Sequence, residues 1–204
     1  PATGEVLPEV RLTYKTIGAP SGEPVLLLHG TAGSAASLLN PGFAGELFGA
    51  GQPLDASRYY IVIPDALGAG GSAKPSDGLR ARFPRYNYDD MVLAQYRLVT
   101  EGLGLRHLRL VLGNSMGGMH TWMLSSRYPQ MADGWVPMAS VPTAIVGRNR
   151  MWRTMLADAI TSDPAWMSGD YTSQPVMGMR NALRLQSIMS SVPLDPVPAR
   201  VQAS

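Results

Sequence analysis

The stretch "LVLGNSMGGMHTW", residues 110–122, decides the fold of this 204-residue chain. It begins with the end of an apolar run typical of a buried strand, and it continues into a segment typical of a helix. Between the two lies Gly113-Asn114-Ser115-Met116-Gly117, which matches the pattern G-x-S-x-G. Glycines that flank a serine at such a junction predict a tight turn with the serine at its tip.

That predicted turn makes Ser115 a candidate nucleophile. A strained turn exposes the serine Oγ, and the free N–H groups and positive dipole end of the following helix suit a developing oxyanion. The alternative is a serine that only caps an ordinary helix. A strand before the motif and a helix after it favour the nucleophile.

Further apolar runs predict a sheet. The segments 24–30 and 59–65 are continuously apolar, as is 108–113, and 134–140 is a weaker example. Continuous apolar runs are typical of parallel strands that are buried on both faces. The alternating segment "VRLTYKT" at 10–16 predicts an edge or antiparallel strand.

Helical segments separate these strands. Residues 89–105 predict a helix that ends at Gly102 and Gly104, and residues 116–130 predict a second helix that ends before Pro129. Strand and helix therefore alternate along the first part of the chain. This alternation predicts an α/β fold with a doubly wound, mostly parallel sheet.

The pattern changes after the fourth parallel strand. Residues 148–166 and 174–192 predict helices with no apolar strand after them. We therefore expect residues 1–142 to form the core, residues 143–192 a helical cap or lid, and residues 193–204 a Pro-rich tail or break point.

Composition excludes several classes of function. The formal net charge is only +2, without a basic block, so nucleic acid is not an expected partner, and no apolar run is long enough for a membrane span. The chain has no cysteine, which excludes disulfides and thiolate catalysis, and no metal site is predicted. Because Pro1 takes the place of a methionine, we expect N-terminal trimming, and the compartment stays open between cytoplasmic and periplasmic or secreted.

Three segments together carry a resemblance to a known family. They are "GQPLDASRYYIVIPDALGAGGS" (51–72), "FPRYNYDDMVLAQYRLVTEGLGLRHLRLVLGNSMGGMHTW" (83–122) and "SDPAWMSGDY" (162–171). With them the chain resembles the α/β-hydrolase superfamily, and within it the homoserine O-acetyltransferase-like branch. The resemblance implies an α/β-hydrolase fold: a mostly parallel sheet with flanking helices and a helical cap.

The resemblance also implies where an oxyanion would be held. In this fold one N–H comes from the loop after an early strand and one from the residue after the nucleophile, so the expected donors are the backbones of Thr31 and Met116. His29, at the end of the strand in "LLHGTAGS" (27–34), is expected to hold the loop rather than act as the general base. The glycine-rich segment 65–75 lacks the spacing of a phosphate-binding loop and predicts a tight surface loop near the mouth of the site.

Three functions follow from these motifs. The first is acyl transfer through an acyl-enzyme at Ser115, with small-molecule substrates, no cofactor, and an acyl-CoA such as acetyl-CoA as the donor that the resemblance implies. The chain departs from the branch at two places: it has His29-Gly30-Thr31 where His-Ala-Leu is usual, and it has Asn114 before the serine. These departures favour an acceptor other than homoserine. The second function is therefore a serine esterase that uses water as the acceptor. The third is a non-catalytic protein of this fold, or an inactive fragment.

The sequence does not identify the histidine that would activate Ser115. In this fold the triad comes in the order Ser, Asp or Glu, then His, but the histidines of the chain are His29, His107 and His120, and none follows the cap. We therefore expect that the last strands, with the triad Asp and His, are missing from this chain and lie on a second polypeptide or a missing segment. Family resemblance alone also suggests a homodimer formed through the cap.

Overall fold

The computed structural model of the chain describes residues 4–7 and 9–190, so the predicted Pro-rich tail at 193–204 lies outside the described residues. The chain divides into two compact units, with the boundary between Thr143 and Ala144. None of the described helices combines the length and the apolar character needed to cross a membrane.

The first unit is built on a sheet that has five strands in the described part of the chain. These are β1 (Tyr14–Ile17), β2 (Glu23–Leu28), β3 (Tyr59–Pro64), β4 (Leu108–Asn114) and β5 (Ala132–Met138). Their order in the sheet is β1-β3-β2-β4-β5, and all neighbours are parallel except β1, which runs antiparallel to β3. The predicted α/β class with a mostly parallel sheet is therefore confirmed.

The central strands are apolar throughout because both of their faces are covered. Val25 and Leu27 of β2 pack into one core cluster, whereas Leu26 and Leu28 pack into a second cluster on the opposite face. All four side chains are at most 2 % exposed. Residues that alternate between two buried faces leave no polar position in the strand, which explains the continuous apolar run in the sequence.

Three α-helices lie in the described part of the first unit: α1 (Ala44–Leu47), α2 (Tyr88–Arg97) and α3 (Met116–Arg127). The helix predicted over 116–130 is α3, and it ends before Pro129 as expected. The helix predicted over 89–105 is shorter, because α2 passes into a π-helical turn at Leu98–Gly102.

The second unit contains α4 (Gly147–Thr161) and α5 (Val176–Ser190). The helix predicted over 148–166 ends earlier than expected, since a separate 3₁₀ segment, Pro164–Gly169, follows it. Asp163 joins these elements: its carboxylate accepts hydrogen bonds from the N–H of Ala165 at 2.9 Å and from the N–H of Gly178 at 2.8 Å. One carboxylate thus caps the 3₁₀ segment and fixes the first turn of α5.

His120, on the core side of α3, is the most perturbed histidine of the first unit. It is 1 % exposed, its Nδ1 lies 3.0 Å from Nε2 of Gln95 on α2, and its ring meets the Tyr88 ring edge to face. Burial lowers the pKa of His120 from 6.5 to about 4, and the electrostatic interaction with nearby His29 acts in the same direction. The ring is therefore neutral in the folded protein at neutral pH.

We predict that His120 makes the fold sensitive to mild acid. Between pH 6.5 and about 4 the unfolded chain binds a proton at this position and the folded chain does not. The contribution of neutral His120 to the free energy of unfolding is therefore fully present above pH 6.5 and is lost as the pH falls to about 4. The linkage amounts to about 3 kcal/mol, and urea unfolding at several pH values measures it. His120→Asn, which keeps an acceptor for Gln95, should flatten this part of the decline.

The matched control is His107→Asn. His107 is exposed, and its hydrogen bond to Asp133 raises its pKa, so its contribution has the opposite sign. The His107→Asn variant should therefore keep the loss of unfolding free energy between pH 6.5 and 4. If His120→Asn retains the full decline between pH 6.5 and 4, burial of His120 is not its cause.

Candidate active site

Ser115 occupies the tip of a sharp turn between β4 and α3. Its backbone has φ 54° and ψ −111°, a left-handed conformation that L residues other than glycine rarely adopt. The turn is held from both sides, because the Ser115 N–H donates to the Met138 carbonyl at 2.9 Å and the Ser115 carbonyl accepts from the Met119 N–H at 3.0 Å. Such strain, of about 1–3 kcal/mol, persists only where surrounding structure imposes it, and it is typical of functional turns.

The glycines around Ser115 are required by space. A methyl group on Gly117 would overlap the backbone at Leu28 and His29, and one on Gly113 would overlap the backbone of Gly117. A methyl group on Gly118 would lie 2.6 Å from the Met138 carbonyl oxygen. The strand, turn and helix predicted from the sequence are thus present, and the glycines have the spatial role expected of them.

The loop after β2 lies directly against this turn. A Cβ placed on Gly30 would come within 3.5 Å of the Ser115 Cβ, so the loop and the serine are in contact distance. Among the described residues, the backbone N–H groups of Thr31 and Met116 have no hydrogen bond acceptor. Both predicted oxyanion donors are therefore without an acceptor in the described part of the protein. Met116 is the first residue of α3, where the helix dipole is positive.

The loop itself is held by His29 and Asp65. His29 is 2 % exposed; its Nδ1 lies 2.8 Å from the Gly30 carbonyl oxygen, and its Nε2 lies 3.0 Å from the Ala66 nitrogen. Since a backbone N–H can only donate, Nε2 accepts from Ala66, and Nδ1 carries the proton that it donates to Gly30. His29 thus contacts the loop as expected from the sequence.

Asp65 is a residue that sequence reasoning missed. Its carboxylate accepts from the Ala35 N–H at 2.7 Å, the Gly71 N–H at 2.9 Å and the Thr13 hydroxyl at 2.7 Å. Burial acts to raise the pKa of Asp65, but these hydrogen bonds outweigh it and leave the pKa below its usual value. The available signal was an aspartate directly after a buried strand, where a carboxylate needs several donors.

None of the three histidines is placed to activate Ser115. Both ring nitrogens of His29 are engaged, by Gly30 of the loop and by Ala66 after β3. His120 is buried against Gln95, and His107 is on the surface with its Nε2 2.8 Å from Asp133. The Ser115 hydroxyl has no hydrogen bond partner within residues 4–7 and 9–190. Those same residues include no cluster of His, Asp and Glu that could hold a metal ion.

The chain is similar to known proteins over most of its length. A family model described as alpha/beta hydrolase fold matches residues 23–183. A homoserine O-acetyltransferase of Thermobifida fusca is 36% identical over 207 residues, which cover 91% of this chain and 54% of that protein. A homoserine O-succinyltransferase of Magnetococcus marinus is 30% identical over 190 residues, covering 84% of this chain and 48% of that protein.

A solved structure extends this similarity to the backbone. The acetyl esterase MekB superimposes with a TM-score of 0.83 at 27% identity, over 98% of this chain and 59% of that one. The chain thus spans about half the length of the curated relatives it matches.

We predict that Gly117→Ala strongly destabilises the first unit. The added methyl group meets backbone atoms of Leu28 and His29, which cannot rotate away as a side chain can. We expect a loss of about 3 kcal/mol in the free energy of unfolding, measured with urea.

Gly45→Ala in α1 is the matched control. The nearest atom to its new methyl group is the Pro41 Cβ at 3.8 Å, an ordinary contact. This change should be neutral or stabilise the protein by about 0.5–1 kcal/mol. Equal stabilities for the two variants would contradict the steric account of the turn.

Proposed function

Because this chain belongs to the alpha/beta hydrolase fold family and resembles its homoserine O-acetyltransferase branch, we propose that it forms part of an enzyme that transfers acyl groups through Ser115. The observation that carries the proposal is the strained Ser115 turn. Within the described residues, the Ser115 hydroxyl and the nearby N–H groups of Thr31 and Met116 have no hydrogen bond partner. Acyl transfer requires a nucleophile with N–H donors near it that can hold the developing oxyanion.

In the proposed reaction the Ser115 Oγ attacks the carbonyl carbon of an ester or thioester. The carbonyl π electrons move to oxygen, and the resulting oxyanion is held by the N–H groups of Thr31 and Met116. The C–O or C–S bond to the leaving group then breaks, the alcohol or thiol leaves with a proton, and the acyl group stays on Ser115. An acceptor hydroxyl or water next attacks this acyl-enzyme and regenerates the serine.

The serine proton must pass to a base. We propose that the base is a histidine outside the described residues, held by an Asp or Glu as is usual in this fold. The occupied ring nitrogens of His29 and the burial of His120 support this proposal. The segment that carries the base belongs either to this protein or to a second polypeptide.

The proposed substrates are a small acyl donor and a small acceptor. The names of the relatives, O-acetyltransferase and O-succinyltransferase, support transfer of a short acyl group to a hydroxyl. We propose an acyl-CoA as the donor of this group. Hydrolysis is the second candidate, since the structure that superimposes over 98% of this chain is an acetyl esterase. Both use the same acyl-enzyme and differ only in whether water reaches it.

We predict that a fluorophosphonate probe labels the full-length protein at Ser115. Ser115→Ala should abolish labelling and lower the turnover of p-nitrophenyl acetate by about 10,000-fold or more, because the nucleophile is lost. Ser126→Ala, an exposed serine on the same helix, is the matched control and should behave as the unaltered protein. Absence of labelling in the unaltered full-length protein would favour the non-catalytic alternative.

A second measurement separates transfer from hydrolysis. We expect the acetyl group of p-nitrophenyl acetate or acetyl-CoA to appear on an added hydroxyl compound, as detected by mass spectrometry, with homoserine and serine as the first acceptors tested and other small hydroxyl compounds after them. Steady release of acetate at the same rate with and without these acceptors would instead identify an esterase. The comparison tests the fate of one acyl-enzyme, so it is independent of how that intermediate forms.

A further inference from the structure

We propose that His29 is a positioning residue that sets the direction of the Thr31 N–H, and so orients half of the oxyanion site. The proposal rests on the proposed function of Ser115. It concerns a side chain that touches neither substrate nor nucleophile in the reaction described above, and that acts through the backbone of the loop after β2.

The Thr31 N–H belongs to the peptide that joins Gly30 to Thr31. A peptide unit is planar and trans, so its C=O and N–H point in opposite directions. The Gly30 carbonyl oxygen accepts two hydrogen bonds, from His29 Nδ1 at 2.8 Å and from the Gly33 N–H at 3.1 Å. Because these two donors fix the direction of the carbonyl, they also fix the direction of the Thr31 N–H.

His29 is itself immobilised. Its ring is 2 % exposed, and the Ala66 N–H donates to Nε2 at 3.0 Å. This bond leaves Nδ1 as the protonated nitrogen, since Nε2 can accept only when it carries no proton. The ring therefore links the end of β3 to the peptide that carries the oxyanion donor.

A second link fixes the far end of the loop. Asp65, the neighbour of Ala66, accepts from the Ala35 N–H at 2.7 Å. Two consecutive residues after β3 thus hold the loop over 29–35 at its first residue and at its last. Thr31 lies between the two links, within a closed segment that has little freedom to rotate its peptides.

The expected consequence is a preorganised donor. A donor that already points at the developing charge stabilises it without reorganisation during the reaction. Loss of one oxyanion donor lowers kcat by about 100- to 1,000-fold in other enzymes, and misplacement by about 1 Å costs about 100-fold. We therefore expect a fall in kcat of about 10- to 100-fold when the His29 donor is removed, with KM nearly unchanged.

Two amide variants of the full-length protein separate the two hydrogen bonds of His29. The amide nitrogen of His29→Asn lies near the place of Nδ1 and can still donate to Gly30. The amide oxygen of His29→Gln lies near the place of Nε2 and can still accept from Ala66, but its donor to Gly30 is lost. We expect His29→Asn to keep kcat for p-nitrophenyl acetate within about threefold of the unaltered protein, and His29→Gln to show the fall in kcat.

The controls address stability. His107→Asn and His107→Gln change an exposed histidine that the proposed mechanism does not use, and both should keep full activity. Urea unfolding of all four variants shows whether activity follows stability. Equal losses of kcat in His29→Asn and His29→Gln, in proportion to lost stability, would overturn the proposal and leave His29 with a structural role only.

A readout without turnover tests the same geometry. Long-range ¹H–¹⁵N correlation spectra of the unaltered protein report which imidazole nitrogen is protonated. We expect His29 to be the Nδ1-protonated tautomer, and an Nε2-protonated ring would overturn the positioning proposal by itself. An unaltered protein that neither turns over p-nitrophenyl acetate nor labels at Ser115 would instead overturn the proposed function, so the two failures are distinguishable.

Discussion

The start of α3 approaches the end of β2 so closely that no side chain fits between them. At Gly117 the nearest neighbours are the backbones of Leu28 and His29, and a single methyl group would overlap both. This contact places the Ser115 turn against Gly30, and Ser115 is the single residue between the end of β4 and the start of α3. Close backbone packing at Gly117 therefore determines where the candidate site lies. The hydrogen bonds of His29 and Asp65 then fix the conformation of the loop beside it.

Most of the sheet could be predicted because its physics is local to each strand. A strand buried on both faces must be apolar at every position, so β2, β3 and β4 are visible in composition alone. The exceptions have identifiable causes. Residues 10–13 alternate like a strand, but Arg11 and Thr13 bond to Ala73, Ser72 and Asp65 of a loop, so the strand begins only at Tyr14. The helix predicted to run to Trp166 stops at Thr161 because Asp163 caps a separate segment that begins with Pro164.

The candidate site likewise has one part that the sequence predicts and another that it does not. Ser115 is identified by a motif of five residues, whereas the bond between His29 and Ala66 joins positions 37 residues apart. That bond depends on β2 and β3 being neighbours in the sheet, which no short motif encodes. His29 and His120 are both buried, and only their partners, a backbone loop for one and Gln95 for the other, separate their roles. The candidate nucleophile and the loop-holding role of His29 could therefore be predicted from the sequence, whereas the partner of His29 at Ala66 and the role of Asp65 could not.

The two proposed oxyanion donors are main-chain groups, and this affects how such a site would vary over time. The side chains at positions 31 and 116 carry none of the proposed chemistry, so most replacements there preserve the N–H. Proline is the exception, because it has no N–H to donate. Under the proposed function, selection at positions 31 and 116 would exclude only proline, whereas selection at position 117 would accept only glycine. Residue identity would then be a poor guide to the first kind of position and a good guide to the second.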